Sequence, residues 1–275
     1  MKIPLINIFK VHDELGTASA PLLCTCTDAN GAFSKYYLKF VLDENEYCGL
    51  VYEIVCSQLA SYLKINTPPI AFAFTGPIVE NNEKINRNYL LNAHSICFAS
   101  KEIDLHKMIS DADEIKDKTT FNKFLDPEQF LKIGIFDLWV AHDDRSNINY
   151  NLLAETTPEG YHLYSIDHYH CFGGEANFNK NFSELKVNPY KSILTSTFGI
   201  SVRKYLVNPE SFRNIVESFN NIDLSTIKKI VKNVFNQLPK EWKIDPNLQG
   251  IIIGFLTDKK RNNQVIEIFN HLTTP

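Results

Sequence analysis

The chain has 275 residues, of which 44% are apolar, and 28 Lys and Arg stand against 32 Asp and Glu, giving a formal net charge of −4. With 19 Phe, 12 Tyr and 2 Trp and only 22% charged residues, this composition excludes a disordered chain. The length suffices for one large domain or for two lobes. The charge lacks the positive surplus that binding to a phosphate backbone requires, so we expect no direct nucleic-acid partner.

Neither of the two most apolar stretches near the chain ends has the pattern of a targeting or membrane segment. Near the amino terminus, Asn7 and Lys10 interrupt the apolar run, which therefore does not resemble a secretory signal. Residues 251–256 fall far short of the ~20 apolar residues that a membrane span needs. We expect a cytoplasmic protein with no membrane partner. The six cysteines lack CxxC spacing, which favours buried free thiols over a metal or redox site.

The first third of the chain is rich in strand patterns and contains one helix pattern. The turn-forming residues 28–31 separate two apolar runs and predict a hairpin. Apolar residues at every fourth position predict a helix over 49–64, which ends before Pro68. The strands of this region are expected at residues 21–26, 35–41, 70–74 and 89–92.

The rest of the chain is mainly helical in pattern. Residues 130–141 are almost continuously apolar and follow Asp126 and Pro127, which predicts a buried helix with Asp126 as its N-cap. Two short strand patterns, at 149–153 and 161–166, predict a small hairpin. Further helices are expected around an apolar stripe at residues 227–235 and over residues 263–272.

A dense polar cluster follows the predicted buried helix. In the sequence HDDRSNIN, residues 142–149, Asn149 comes five positions after Asp144, and Asp167 ends the second strand of the predicted hairpin. Phosphoryl transfer needs these groups, because one carboxylate orients the attacking hydroxyl while an Asn oxygen and a second carboxylate hold the metal. Asp143 and Asp144 alone would suggest a solvated helix end. The agreement of the spacings favours a functional site.

The basic residues around this cluster have less specific patterns. We expect His142, His168 and His170 to be structural rather than zinc ligands, and His168 to hydrogen-bond the backbone near Asp167. Arg145 is compatible with two partners, an acidic side chain or a phosphate group, and both stay open.

A lysine and a glutamate earlier in the chain complete the set. Lys39 lies in the apolar strand pattern YYLKF, where an unpaired ammonium group would be costly. Glu53 lies near the apolar face of the following helix. We expect an ion pair between them that directs Lys39 at the phosphates of ATP. The segment GTASA, residues 16–20, precedes the hairpin at the place where a loop covering the phosphates would lie.

These segments together resemble the HipA-like kinases, in particular the compact branch without the amino-terminal subdomain of the HipA toxins. The DRxxxN motif and the later hydrophobic-Ile-Asp-His segment are the most specific part of the resemblance, which spans nearly the whole chain. It is carried by LGTASAPLLCTCTDANGAFSKYYLKF, YEIVCSQLASYLKINTPP, FDLWVAHDDRSNINYNLL, YSIDHYHCFGG and LPKEW. It implies an α+β, bilobal protein-kinase-like fold, with a strand-rich amino lobe over residues 1–96 and a helical carboxyl lobe over residues 97–275.

The resemblance also implies roles for the site residues. Asp144 would be the catalytic aspartate, and Asn149 and Asp167 would hold Mg²⁺. Lys39 would contact the α- and β-phosphates of ATP, and Glu53 would position Lys39.

The amino-terminal loop departs from the family pattern in having few glycines. Gly16, Thr17 and Ser19 would lie at the nucleotide. A hydroxyl at position 17 or 19 is either a turn residue or a phosphorylation site, at which the added charge would repel the nucleotide.

These roles predict transfer of the γ-phosphoryl group to a Ser or Thr hydroxyl of a protein. By resemblance to the HipA toxins, the protein would be toxin-like, with a translation factor or an aminoacyl-tRNA synthetase as substrate and an antitoxin as partner. Two alternatives stay open. One is a kinase with the same site that phosphorylates a small molecule or a lipid, and the other is a pseudokinase that binds nucleotide and presents a surface to a partner.

Overall fold

The computed structural model describes most of the chain. The described residues are 2–16, 20–76, 85, 95–110, 115–147, 149–178, 180, 182, 184–206 and 208–273. The predicted strand at 89–92 and the candidate loop residues Thr17 and Ser19 lie outside them. None of the described helices is long and apolar enough to cross a membrane.

Five strands of the amino-terminal part close into a barrel. Their order is β1-β2-β3-β5-β4, and the closing pair β1 and β4 is parallel while the other pairs are antiparallel. The predicted hairpin is confirmed as β2 and β3, and the predicted strand at 70–74 is confirmed as β4. The strands are β1 (Leu5–Glu14), β2 (Leu22–Thr27), β3 (Phe33–Lys39), β4 (Ile70–Phe74) and β5 (Ile96–Lys101).

Small side chains fill the interior of this barrel. Strand residues alternate between the two faces of a sheet, and a five-stranded barrel leaves little room inside. The buried cluster combines Ile6, Leu22 and Leu38 with alanines and with Cys24 and Cys26. All six cysteines of the chain are buried and free, as expected. Burial raises the pKa of both Cys24 and Cys26 to about 12, which makes these thiols poor nucleophiles.

The remaining helices surround a larger core that also contains α1. The chain from Lys118 onward carries most of them, and α1 is buried on nearly all sides because the barrel and the later helices both cover it. The helices are α1 (Tyr47–Tyr62), α2 (Lys118–Phe121), α3 (Glu128–Trp139), α4 (Thr197–Tyr205), α5 (Pro209–Asn220), α6 (Leu224–Phe235), α7 (Leu248–Thr257) and α8 (Lys259–Thr273).

The predicted buried helix corresponds to α3, but its predicted N-cap is wrong. Pro127 is the capping position and makes no side-chain capping bond. The Asp126 carboxylate instead accepts a hydrogen bond from the Gln129 side chain at 3.1 Å and lies 3.5 Å from the ammonium group of Lys132. Because these two side chains of α3 occupy the Asp126 carboxylate, it is not available to the helix backbone.

A second, three-stranded sheet has the order β6-β7-β8, with β6 at His106–Met108, β7 at Leu152–Thr156 and β8 at Tyr161–Ser165. The predicted small hairpin is present, although its first strand begins at Leu152 rather than at residue 149. The reason is Arg145, whose guanidinium binds the carbonyls of Tyr150 and Asn151 and holds this stretch in a loop. The loop that precedes β7 therefore lies beside the residues that follow β8, where the Ile166 N–H donates to the Asn151 carbonyl.

The molecule thus combines helices with two sheets, as the α+β prediction requires. The last barrel strand, β5, crosses the predicted boundary between residues 96 and 97. The division into residues 1–96 and 97–275 stays a prediction.

Candidate active site

A cleft of about 300 Å³ lies where the barrel meets the second sheet. The cleft is lined by one set of apolar residues and by another set of charged or amide-bearing residues. The apolar set includes Leu15, Pro21, Phe98, Ile103, Met108, Leu153 and Ile166, and the polar set includes Lys39, Glu53, Asp144, Asn149, Asn151 and Asp167. All five residues predicted as catalytic or metal-binding therefore line one cleft. Gly16 is exposed and does not line it, although its neighbour Leu15 does.

Lys39 lies between two carboxylates at the polar wall of the cleft. Its ammonium group contacts Glu53 Oε1, which confirms the predicted ion pair, and it lies 2.8 Å from Asp167 Oδ1. The Lys39 side chain is only 12% exposed. Burial opposes its charge, but Asp167 and Glu53 outweigh burial and raise the pKa of Lys39 above its ordinary value. Lys39 therefore carries its positive charge into the cleft.

Glu53 connects α1 to the segment that carries Asp167. Its second carboxylate oxygen accepts the backbone N–H of His168 at 2.9 Å. Burial raises the pKa of Glu53, and Lys39 opposes that rise. Close to this contact the Tyr169 ring lies directly on Gly49 of α1, where an added Cβ would stand 2.3 Å from the ring. Glycine at position 49 thus allows α1 to approach the Asp167 segment.

Asp167 adopts a backbone conformation that L-residues seldom use. Its φ is +57°, in the left-handed region, and such conformations often occur at functional sites. Burial alone would raise its pKa, but Lys39, through charge and a hydrogen bond, and the nearby histidines lower it below the ordinary value. Asp167 is therefore ionised at neutral pH, as a metal ligand must be.

His142 joins Asp144 to Asp167. Its Nδ1 accepts the backbone N–H of Asp144 at 3.2 Å, so Nε2 carries the proton and donates to the carbonyl oxygen of Asp167 at 3.1 Å. Burial, and then the charge of Arg145, hold the pKa of His142 well below its usual range. A neutral imidazole therefore fixes the distance between the two aspartates.

The expectation that His168 hydrogen-bonds the backbone near Asp167 is wrong. The His168 ring contacts the Ser165 hydroxyl through Nε2 at 3.0 Å, and the histidine that reaches the backbone of Asp167 is His142. The sequence could not distinguish the two histidines, because each lies within two positions of an aspartate of the site.

Asp144 accepts two amide hydrogen bonds on one oxygen. Asn149 Nδ2 lies 2.6 Å from Asp144 Oδ2, and Asn151 Nδ2 lies 3.2 Å from the same atom. Within the described part of the chain, Asp144 Oδ1 accepts no hydrogen bond. Asn151 was missed by the sequence reasoning. The spacing of two from Asn149 was no usable signal, because Asn151 has a φ of +50° and lies in a loop before β7 begins at Leu152.

Arg145 pairs with an acidic side chain, which settles the choice between an acid and a phosphate. Its Nε lies 2.7 Å from Asp137 Oδ1, and both side chains are 0% exposed. Asp137 also accepts the backbone N–H of Ile193 at 2.9 Å. Burial raises the pKa of Asp137 to about 6, while Arg145 counteracts this rise. Arg145 thus supports the loop from beneath and does not reach the cleft.

The cleft has the chemistry that Mg-ATP requires. The Asp167 carboxylate and the Asn149 amide oxygen are hard oxygen donors of the kind that Mg²⁺ prefers. Lys39 supplies a fixed positive charge beside them, and the apolar wall offers a surface for a flat ring system. These residues therefore fit the nucleotide and its metal, and their individual roles stay predictions.

A lysine paired with a helix glutamate, facing an aspartate, an asparagine and a second aspartate, is the residue set of a kinase. The sequence matches the family of HipA-like kinases over residues 7–263. This match covers most of the chain, which therefore belongs to the HipA-like kinase family. None of the curated proteins matches it significantly.

Solved structures are similar to the chain in fold. The Helicobacter pylori proinflammatory kinase CtkA matches with a TM-score of 0.54 and 16% identity, over 98% of this chain and 97% of its own. At that identity the likeness concerns the fold alone. The open conformation of CtTel1 matches 97% of this chain and 11% of its own, with 13% identity and a TM-score of 0.35, too low to carry an argument.

Proposed function

We propose that the protein is an Mg-ATP-dependent kinase that transfers the γ-phosphoryl group to a Ser or Thr hydroxyl of a protein. The nucleotide would lie between a strand-rich amino lobe and a helical carboxyl lobe. The observation that carries this proposal is the position of Lys39 between Glu53 and Asp167, in the same cleft as Asp144.

The nucleotide side of the cleft is assigned to three groups. Lys39 would bind the α- and β-phosphates, and Glu53 would hold Lys39 in place. Asn149 and Asp167 would hold Mg²⁺ through their oxygens. When bound, Mg-ATP supplies the γ-phosphoryl group, and the metal neutralises the charge of the phosphates.

The acceptor side is assigned to Asp144. Asn149 and Asn151 occupy its Oδ2, so its Oδ1 is the oxygen left for a substrate hydroxyl. Asp144 would orient this hydroxyl and accept its proton. From family membership we further propose a toxin-like role in the cytoplasm, with a translation factor or an aminoacyl-tRNA synthetase as acceptor and an antitoxin as partner.

The test uses purified protein, γ-labelled ATP, Mg²⁺ and cell lysate. Asp144→Ala removes the proposed base, and we expect a loss of labelling of about 10²- to 10⁴-fold. Asp143→Ala is the matched control, because that neighbouring carboxylate lies near the Lys191 ammonium and does not line the cleft. It should label nearly as well as the wild type.

The labelled product separates the proposal from its alternatives. Label on a protein band that disappears with Asp144→Ala supports a protein kinase, and mass spectrometry of that band identifies the acceptor. Label in small molecules or lipids instead overturns the protein substrate and supports the first alternative. Nucleotide binding without any transfer supports a pseudokinase.

A further inference from the structure

Asn151 lies at the catalytic aspartate of the proposed kinase, and the inference drawn from it rests on that proposed function. It is 3% exposed, lines the cleft, and donates from its side-chain amide to Asp144 Oδ2 at 3.2 Å. Asn149 donates to the same oxygen at 2.6 Å. The carboxylate that would meet the substrate hydroxyl is thus held by two amides.

Two hydrogen bonds to its carbonyl oxygen hold the backbone of Asn151 in place. Its carbonyl accepts hydrogen bonds from the buried Arg145 guanidinium at 2.9 Å and from the Ile166 N–H at 3.1 Å. Its φ of +50° lies in the left-handed region, which asparagine, aspartate and glycine tolerate better than other residues. The side chain therefore starts from an anchored backbone, and its amide has little freedom to leave Asp144.

The two asparagines have different duties at the proposed site. Both side chains turn their NH₂ groups toward Asp144, and each donates a hydrogen bond to its Oδ2. The amide oxygen of Asn149 is assigned to Mg²⁺, so Asn149 serves the metal and the aspartate together. Asn151 has no assigned metal, and its hold on Asp144 does not depend on one.

We propose that Asn151 is a positioning residue that fixes the rotation of the Asp144 carboxylate. With Oδ2 held by Asn151, Oδ1 stays directed to the acceptor hydroxyl whether or not Asn149 is engaged by the metal. Asn151 acts on the transfer step through Asp144 and contributes little to nucleotide binding.

The test compares Asn151→Gly with the wild-type protein in the transfer assay. Glycine keeps the left-handed backbone and removes the side chain together with its amide. A lost hydrogen bond to a charged group should lower kcat by about 10- to 100-fold. The KM for ATP and the half-saturating Mg²⁺ concentration should stay within about twofold of wild type. Asn149→Ala, by contrast, should raise the Mg²⁺ requirement.

Asn151→Asp is the second variant. Aspartate has the same shape and tolerates the same backbone, but it places a carboxylate against Asp144. We expect a loss of kcat at least as large as that of Asn151→Gly. Binding of an Mg-ATP analogue shows that the cleft is folded. If one variant fails to fold, the inference is tested with the other variant, provided that it binds the analogue like wild type.

The outcomes separate this inference from the proposed function. Wild-type kcat in both variants overturns the inference and leaves the proposed function in place. An equal loss of nucleotide affinity and of kcat also overturns it, because Asn151 would then serve the nucleotide. If the wild-type protein transfers no phosphate to any acceptor, both the proposed function and the inference fall.

Discussion

Two cations paired with carboxylates hold the site, one in the barrel and one in the helical part of the chain. Lys39 contacts Glu53 and Asp167, and its side chain is 12% exposed toward the cleft. Arg145 contacts Asp137, and neither side chain is exposed at all. The two pairs are chemically alike, but they differ in what surrounds them.

The difference separates a charge that is enclosed by the protein from one that borders the cleft. Arg145 uses its remaining donors on the carbonyls of Tyr150 and Asn151 and on the Ser165 hydroxyl, so it has no face toward a ligand. Lys39 lines the cleft, so its ammonium group is accessible to a ligand there. Loss of Arg145 should therefore affect folding, and loss of Lys39 should affect chemistry.

The largest effect is expected from Arg145→Ala. This change leaves Asp137 buried without its cation and removes the support of the loop after Asp144, which should cost about 3–5 kcal/mol of the free energy of unfolding. Domains of ordinary stability have only about 5–15 kcal/mol in total. The denaturant midpoint and the soluble yield measure the loss. A variant with the wild-type midpoint would contradict the structural role of Arg145.

Lys39→Met should separate chemistry from folding. We expect phosphoryl transfer to fall at least about 100-fold, because in the proposed function the phosphates of ATP would lose their fixed cation. The loss of stability should be smaller than for Arg145→Ala, because the Lys39 side chain is partly exposed to the cleft, whereas Arg145 is fully buried and also binds the carbonyls of Tyr150 and Asn151. Transfer rate and denaturant midpoint are measured on the same sample.

Lys35→Met is the matched control on the same strand. The Lys35 side chain is 51% exposed and lies 3.6 Å from Glu102 at the surface, so both quantities should stay near wild type. An equal loss of transfer in the two variants would contradict the role of Lys39.

Gly49→Ala tests the contact between α1 and the Asp167 segment. A methyl group at Gly49 meets the Tyr169 ring, so α1 or the ring must move, and Glu53 moves with the helix. We expect a loss of about 1–3 kcal/mol in stability and a transfer rate lowered about tenfold. Gly250→Ala is the control, because a Cβ there has open space, and it should stabilise the protein by about 0.5–1 kcal/mol. A Gly49→Ala protein as active as Gly250→Ala would contradict this contact.

At neutral pH the smallest effect is a dependence of stability on pH, which comes from the two buried histidines. Burial is the main cause that lowers the pKa of His168 to about 3 and that of His142 well below its usual range. Their folded pKa values lie below the unfolded value, so their contribution is complete above about pH 6.5 and is lost as the pH falls toward 3.

Unfolding titrations between pH 7 and pH 5 measure this slope. His168→Phe should reduce it by about 1 kcal/mol per pH unit in the lower part of that range. An unchanged slope in this variant would show that His168 is not held neutral.

Local patterns and charge costs were enough to predict much of the site. The hairpin, α1 and α3 follow from turn residues and apolar periodicity, and the Lys39–Glu53 pair follows from the cost of an unpaired ammonium group in an apolar strand. The cleft around Asp144 also agrees with the spacing of the motif. These features depend on residues close in sequence or on a strong energetic requirement.

Features that depend on distant backbone pairing were not predictable. β1 and β5 were missed, because their place in the barrel comes from pairing with β4 across long sequence separations. The partner of Arg145 stayed open, since a buried Asp137 within α3 has no pattern of its own. Asn151 was missed because its role depends on a backbone conformation that the surrounding contacts impose.

The most direct test of the central claim is the rate of γ-phosphoryl transfer by Asp144→Ala relative to wild type at saturating Mg-ATP. We predict a rate at least about 100-fold lower, with the affinity for an Mg-ATP analogue retained. Transfer by Asp144→Ala at the wild-type rate would contradict the assignment of this cleft as the site of the reaction.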